Sequence, residues 1–412
     1  MNDRAFDDTQ PPGDAQRRLA VLFAVVFVDM LGFGILLPLI PFYGVRLGLS
    51  ADWLTLVISL HALFQFIGAP ILGRLSDRHG RRPILLLSMA GHAFAYMLLA
   101  FADSIVLLAA SRIISGFTSG NLSAAYAYAS DLSRPAERSA TLARISAAFA
   151  LGLTFGPLLG ALLTGRVDPA AANLHAPALA SGVLSLLSCV SILWLLPESP
   201  RHAAGRREVA AGLRQPHAAT LEQPAFVRWA LCLSMLVIVF SAVRETLFAL
   251  WMHDKFDFDT FTIGAVIAAH GLMVAAVQLF GAGRLAAGIG ERRLVLVGIA
   301  AYACSWLGLS LSSGVVTVIL AMTFSALATA VFATSLQSLL TQAVSDAERG
   351  GVLGALQSSS ALARFVGAAI SGTLYAALGP DAPFFIGALA MLPALWMGRS
   401  LRRQLSLAGV AR

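Results

Sequence analysis

Apolar runs of about 20 residues recur along almost the whole chain, and each is long enough to cross a hydrocarbon core roughly 30 Å thick as a helix. Lipid offers no partner to a backbone amide, so every such run must satisfy its hydrogen bonds within itself. The runs place spans near 19–42, 52–73, 83–101, 105–129, 140–164, 175–196, 226–250, 260–283, 293–311, 315–339, 350–377 and 383–398. The expected fold class is an all-α membrane protein with twelve transmembrane helices. Charged residues make up 12% of the 412, about half the share in an ordinary globular domain, so water is not the main solvent.

The basic residues set the expected orientation, because cytoplasmic loops retain Lys and Arg. With the N-terminus inside, one side collects Arg4, Arg17, Arg18, Arg74 to Arg82, Arg134 to Arg144, Arg201 to Arg228, Arg284 to Arg293, Arg349 and Arg399 to Arg412. The other side receives Arg46, Arg166 and Lys255. Both termini are expected in the cytoplasm, and the net charge of +7 then reflects topology and anionic lipid, not nucleic-acid binding. The polar first sixteen residues lack a cleavage site after an apolar core, so no cleaved signal peptide is expected. Cys189, Cys232 and Cys304 lie in apolar stretches without ligand spacing, which argues against disulfides and a metal site. Lys255 is the one lysine, so no phosphate-binding loop ending in Gly-Lys-Ser or Gly-Lys-Thr exists and an ATP-driven pump is excluded. Neither a nucleophile motif nor a cofactor site stands out, and an enzyme is not expected.

The chain repeats itself. GRLSDRHGRRP (Gly73 to Pro83) and GRLAAGIGERR (Gly283 to Arg293) align at an offset of 210 residues. The chain therefore divides into a tail 1–18, a six-helix bundle 19–196, a polar linker 197–224, a second six-helix bundle 225–398 and a tail 399–412. Pseudo-symmetric halves of this kind hold substrate between them at mid-membrane.

With these residues in place, GRLSDRHGRRP resembles the signature loop of the major facilitator superfamily. RIISGFTSG, with Arg112, Gly116 and Gly120, resembles its fourth-helix motif, and GLTFGPLLG, Gly152 to Gly160, its antiporter motif. DMLGFGILLPLIP and LQSLLTQAVSDAERGGVLGALQS extend the likeness over nearly the whole chain, in the manner of bacterial tetracycline/proton antiporters. The resemblance implies proton-coupled export of a small organic molecule by alternating access. It implies a monomer in the bacterial inner membrane, with protons, substrate and lipid as partners and the proton gradient as energy source. It also implies an interdomain latch at Gly73, Asp77, Arg78, Gly80, Arg81 and Asp131, with Arg81 and Asp131 as partners.

The residues can be read apart from the family. Gly73 and Gly80 permit a tight turn, which Arg78, Arg81 and Arg82 hold inside. Asp77 is placed to pair with these arginines or to meet the positive N-terminal end of a neighbouring helix, the eleventh span. Ala287 stands in its place in the second copy. Gly152, Gly156 and Gly160 fall on one face and let backbones approach, while Pro157 favours a bend.

Ionisable groups inside the membrane are costly enough to be read as functional. They are Asp29, Arg112, Arg244, Glu245 and Arg364, with His61, His92 and His270. Helical rise sets Asp29 and Arg112 at nearly the same depth, so a pair is expected, direct or through water, with Asp29, Arg112 and Glu245 as proton-coupling residues. Glu245 and Arg364 make a candidate second pair, and Arg244, about 100° around the helix, is expected on another face than Glu245. His61 and His270, equivalent under the repeat, are either cavity groups that titrate near neutrality or packing residues. His92 is expected to be scaffold. Asn121, Gln278, Gln337 and Gln357 offer polar contacts, and Phe33, Tyr126, Phe248 and Trp251 stacking surface. Tetracycline exporters carry further acids in the third and ninth helices, where this chain reads HAFAYML and IAAYACS. Two carboxylates against three guanidiniums fit a zwitterionic, neutral or anionic substrate as well as a cationic one. Proton-linked uptake, facilitated transport and a non-transporting membrane sensor are the competing readings.

Overall fold

The computed structural model describes residues 12–133, 137–169, 171–199, 225–344 and 349–407. Most of the expected linker, the outer parts of both tails and the segment before the eleventh span lie outside the described residues. All regular structure among the described residues is helical, and twelve helical segments are long and apolar enough to cross a membrane.

The first half contains α1 (Pro12–Leu36), α2 (Ile40–Arg46), α3 (Ala51–His79), α4 (Arg81–Ala100), α5 (Ile105–Thr118), α6 (Asn121–Leu132), α7 (Arg138–Thr164) and α8 (His175–Leu195). The second half contains α9 (Ala225–Phe256), α10 (Thr260–Ala276), α11 (Ala282–Ile289), α12 (Glu291–Ser310), α13 (Val315–Gln342), α14 (Arg349–Leu378) and α15 (Ala382–Leu407). Three spans are composite. Leu37 to Leu39 separate α1 from α2, Ser119 and Gly120 separate α5 from α6, and a π-helical turn at Val277–Gly281 joins α10 to α11. Several helices run past the apolar limits read from sequence, as α3 does to His79, because their last turns carry polar residues beyond the hydrocarbon.

The repeat is visible in the backbone. Gly80 joins α3 to α4 at φ 106°, and Gly290, at the same offset of 210 residues, joins α11 to α12 at φ 86°. A side chain at either position would be strained in this left-handed region. Gly73, expected to help form the turn, instead lies inside α3 with nothing within 4 Å of its Cβ direction. Gly80 alone makes the turn.

Other glycines set how closely helices approach. Cβ atoms at Gly68 and Gly116 would strike the Phe117 and His61 carbonyls, so α3 and α5 touch backbone to backbone. Along α7, Cβ atoms at Gly152, Gly156 and Gly160 would meet the Phe27 carbonyl, the Gly34 backbone and the Ile35 carbonyl of α1. Pro157 lies within that helix.

The halves are stitched together at the end remote from the Gly80 and Gly290 turns. Thr260 Oγ1 donates to the Gly165 carbonyl at 2.7 Å, and Thr260 N to the Val167 carbonyl at 3.1 Å. Arg166 lies over the Phe261 ring at 5.0 Å. Gly372 N of α14 donates to Thr55 Oγ1 of α3 at 3.0 Å, and Phe42 meets His253 edge-on at 5.9 Å. At the opposite end, among the described residues, Arg82 donates to the Leu193 carbonyl and Ser338 bonds Glu291, each within its own half.

These contacts separate two kinds of motif glycine. Gly116→Leu should lower the apparent melting temperature in detergent, by an overpacking cost of about 1–3 kcal/mol. Gly73→Ala should leave it unchanged or slightly raised, and equal losses at both sites would contradict the packing described.

Candidate functional site

A cavity of about 120 Å3 lies between the halves, walled by α1, α2, α3 and α5 from the first and α9 and α14 from the second. Its polar groups are His61, Arg112, Glu245, Thr246 and Arg364, and Phe33, Leu37, Ile40, Ile58 and Ala368 are among its apolar walls. Phe33 stacks on His61 with ring centroids 5.3 Å apart, forming one side. The break after Leu36 admits Ile40 and Pro41 to the lining, and the long α9 and α14 bring Glu245 and Arg364 to the same level.

Arg112 is 1% exposed. Its Nη2 donates to Ser111 Oγ at 3.0 Å, and its buried Nε has no hydrogen-bond partner. The expected ion pair with Asp29 is not formed. Asp29, 2% exposed, instead faces α4 and α6: its Oδ1 lies 2.7 Å from His92 Nδ1, and its Oδ2 accepts from Asn121 Nδ2 at 3.1 Å. The depth argument said nothing of direction around each helix. Two nearer groups on other helices occupy the carboxylate. His92, expected to be scaffold, is thus the direct partner of the buried acid.

His92 Nε2 continues inward, 3.3 Å from the Ser115 carbonyl and 3.2 Å from Ser119 Oγ. Ser115 Oγ in turn lies 3.1 Å from Nδ1 of the cavity residue His61. One turn of α5 therefore stands between the cavity and the buried acid.

Glu245 is half exposed, and its Oε1 lies 3.5 Å from Arg244 Nη2. The two adjacent side chains bend toward each other, a correction to the expectation that they face apart, since long side chains span the 100° between neighbouring helical positions. Arg364 shares the cavity with Glu245 without an ion pair among the described residues. His270 does not line the cavity, and its buried Nε2 lacks a partner. The remaining candidates are also elsewhere. Phe248 stacks on Trp251 in a buried aromatic cluster, Tyr126 bonds Ser146 at 2.9 Å, and Gln278, Gln337 and Gln357 are exposed.

At the α3–α4 turn Arg81 pairs with Asp77 and lies 3.7 Å from Asp131 Oδ2, while Arg78 is exposed. All these residues belong to the first half. The end of the eleventh span that Asp77 was expected to meet lies partly outside the described residues. Sequence reasoning missed the residue that organises the turn. Glu198 Oε1 accepts from the backbone N of Arg81 at 2.8 Å and of Arg82 at 3.3 Å, and Ser199 Oγ donates to Asp131 Oδ2 at 2.7 Å. Glu198 caps α4 from more than 100 residues away, which no local pattern reveals. Asp168, His253 and Asp257 also bring ligand-type atoms within 4.8 Å of one another across the two halves. This grouping is wide and largely exposed, and it carries no assignment.

A family model described as Major Facilitator Superfamily matches residues 22–252 and 230–406. Among curated proteins, the tetracycline resistance protein, class C, of Escherichia coli is 30% identical over 404 residues, covering 92% of this chain and 96% of that protein. Major facilitator superfamily domain-containing protein 10 of Homo sapiens is 31% identical over 423 residues, with 91% and 90% covered. A crystal structure of the human organic anion transporter MFSD10 (TETRAN) superposes with a TM-score of 0.68 at 28% identity, covering 94% of this chain and all of that one. The nucleoside transporter NupG shares the fold at a TM-score of 0.78 and 13% identity.

Glu198→Gln should weaken the α4 cap. A loss of about 1 kcal/mol, read as a lower apparent melting temperature, is expected, and an unchanged value would remove Glu198 from this role.

Proposed function

Because the chain belongs to the major facilitator superfamily, we propose that this multi-pass membrane transporter exports a small organic anion or zwitterion in exchange for protons. The family's members are transporters, and the chain is one of them rather than an enzyme. The bacterial inner membrane, cytoplasmic termini and a monomeric state are parts of the same proposal. The loops' excess of arginine on the side of the termini supports that orientation. With it, the contacts of Thr260, Arg166 and Thr55 close the periplasmic end, and the cavity belongs to an inward-facing state.

The observation that carries the reading is the cavity's charge. Arg112 and Arg364 supply two permanent guanidiniums against the single carboxylate of Glu245. Guanidinium binds carboxylate, sulfonate or phosphate through paired N–H groups, and such bonds strengthen where water is scarce. Phe33 and the aliphatic walls suit the apolar body of an organic ion. The likeness to a human organic anion transporter and to a bacterial tetracycline resistance protein supports transport of organic ions and export, respectively. Proton coupling is assigned to Asp29, the deeply buried acid of the first half.

The test is uptake into inverted membrane vesicles under an imposed proton gradient, acid inside, with panels of anionic, zwitterionic and cationic compounds. Anionic or zwitterionic compounds should accumulate. Arg364→Ala should lower kcat/KM by about tenfold or more, the worth of one charge-assisted hydrogen bond. Asp29→Asn should abolish gradient-driven accumulation while leaving binding of the same compound intact. Accumulation of cations alone would overturn the substrate class. Insensitivity to the gradient would overturn coupling, and movement in the opposite direction would replace export by uptake.

A further inference from the structure

Asp29 and His92 are each 2% exposed, and their contact joins α1 to α4 in the middle of the first half. The ring's other nitrogen is tied to the protonation of the contact. Nε2 faces the Ser115 carbonyl at 3.3 Å, a group that can only accept. Ser119 Oγ lies 3.2 Å from Nε2 and 2.6 Å from that carbonyl, so its single hydrogen goes either to the carbonyl, with Nε2–H donating, or to Nε2 itself. With hydrogen on Nε2 the site is full. If Nδ1 also carries hydrogen, the ring is an imidazolium against a carboxylate; if not, Asp29 is a carboxylic acid donating to Nδ1. Either assignment leaves the pair with the same total of protons and no net charge.

We infer that Asp29 and His92 form one proton-binding site whose emptying is registered by the Ser119 hydroxyl. Resting on the proton-coupled reading above, it identifies where that proton is held and which residue outside the expected set holds it. On release one proton leaves the pair and the site's charge falls by one. Asp29 remains as carboxylate, accepting from Nδ1–H and from Asn121 Nδ2. Nε2 is left as a bare lone pair facing a carbonyl, and it becomes satisfied when the Ser119 hydroxyl turns its hydrogen from the Ser115 carbonyl to Nε2. The turn takes place at Ser119, where the fourth span is broken between α5 and α6.

The surroundings fit a site that holds either charge. Arg112 of α5 is the permanent cation nearby, and His61 of α3, within electrostatic reach of both Arg112 and His92, is the next ionisable group. Tyr96 of α4 stacks near His92 with ring centroids 5.9 Å apart, and Tyr43 of α2 lies on the Arg112 side. Asn121 of α6 is uncharged. Between Arg144 and its far end α7 has no ionisable residue, and α8 has only His175 and Cys189. A small separate pocket, walled by Val25, Val26, Leu85, Met89 and Ala125, reaches Asp29 and Asn121. Those wall residues precede Asp29 and His92 and follow Asn121, which puts the pocket on the side of the chain termini. The proton site thus borders a small void of its own, apart from the substrate cavity, while Ser115 links it to cavity residue His61.

The test needs no substrate. Purified protein in lipid nanodiscs is titrated with pH, following the Asp29 carboxyl by infrared difference spectroscopy and His92 by 15N NMR. One shared midpoint is expected in the wild type, because strongly interacting groups titrate as a pair. Ser119→Ala removes the donor that satisfies the emptied site and should raise that midpoint by about 0.5–1 pH unit. In a His92→Asn background the same substitution should leave the Asp29 midpoint unmoved. Separate midpoints in the wild type overturn the inference even if no variant folds, as does a Ser119→Ala shift of equal size in both backgrounds. A paired titration in a protein whose flux ignores the proton gradient would defeat the antiport reading and leave this site standing. Separate midpoints in a proton-driven exporter would do the reverse.

Discussion

Hydrocarbon cannot hydrogen-bond a peptide group, and that single fact disciplines the whole molecule. It forces helices, and it also decides where helices are allowed to fail. The break after Leu36, the break at Ser119 and Gly120 and the π-helical turn at Val277–Gly281 need protein or water to take up the freed carbonyls and amides. The first of them admits residues to the central cavity, and the second lies beside the buried Asp29 cluster. Irregular backbone and chemistry therefore occur together.

The second constraint is electrostatic. Two strongly buried charges lie in the first half, yet they are treated differently. Asp29 is surrounded by groups that can give or take hydrogen, so its charge is adjustable. Arg112 keeps its charge at any physiological pH, and it faces the cavity with one nitrogen unpartnered. A buried donor left without a partner is costly. In the mechanism proposed above, one turn of α5 separates the acid assigned to protons from the cation assigned to ligand and keeps the two in contact through Ser115.

Much of the fold was legible in the sequence because span length, the 210-residue repeat and the basic loops are one-dimensional signals of one-dimensional physics. The cavity was partly legible: the rarity of charge in apolar runs singled out Arg112, Glu245, Arg364 and His61, all of which line it. Partnership was not legible. Asp29 and Arg112 share a depth, but which way each points depends on helix rotation, which packing glycines such as Gly116 and Gly156 set and periodicity alone does not. His92 looked like scaffold because the third span usually faces away from a cavity, and here it meets the acid inside one half instead. Glu198 escaped notice because its partners are neighbours only in three dimensions.

The cap made by Glu198 has a mechanical side. Through it and through Ser199, the end of the first half is pinned to the α3–α4 turn, so the chain that crosses to α9 departs from a fixed post. From there about 25 residues precede Ala225, a length whose extended reach is on the order of 80 Å. That post belongs to the first half alone, so a displacement of the second half would leave the α3–α4 turn and its cap unchanged.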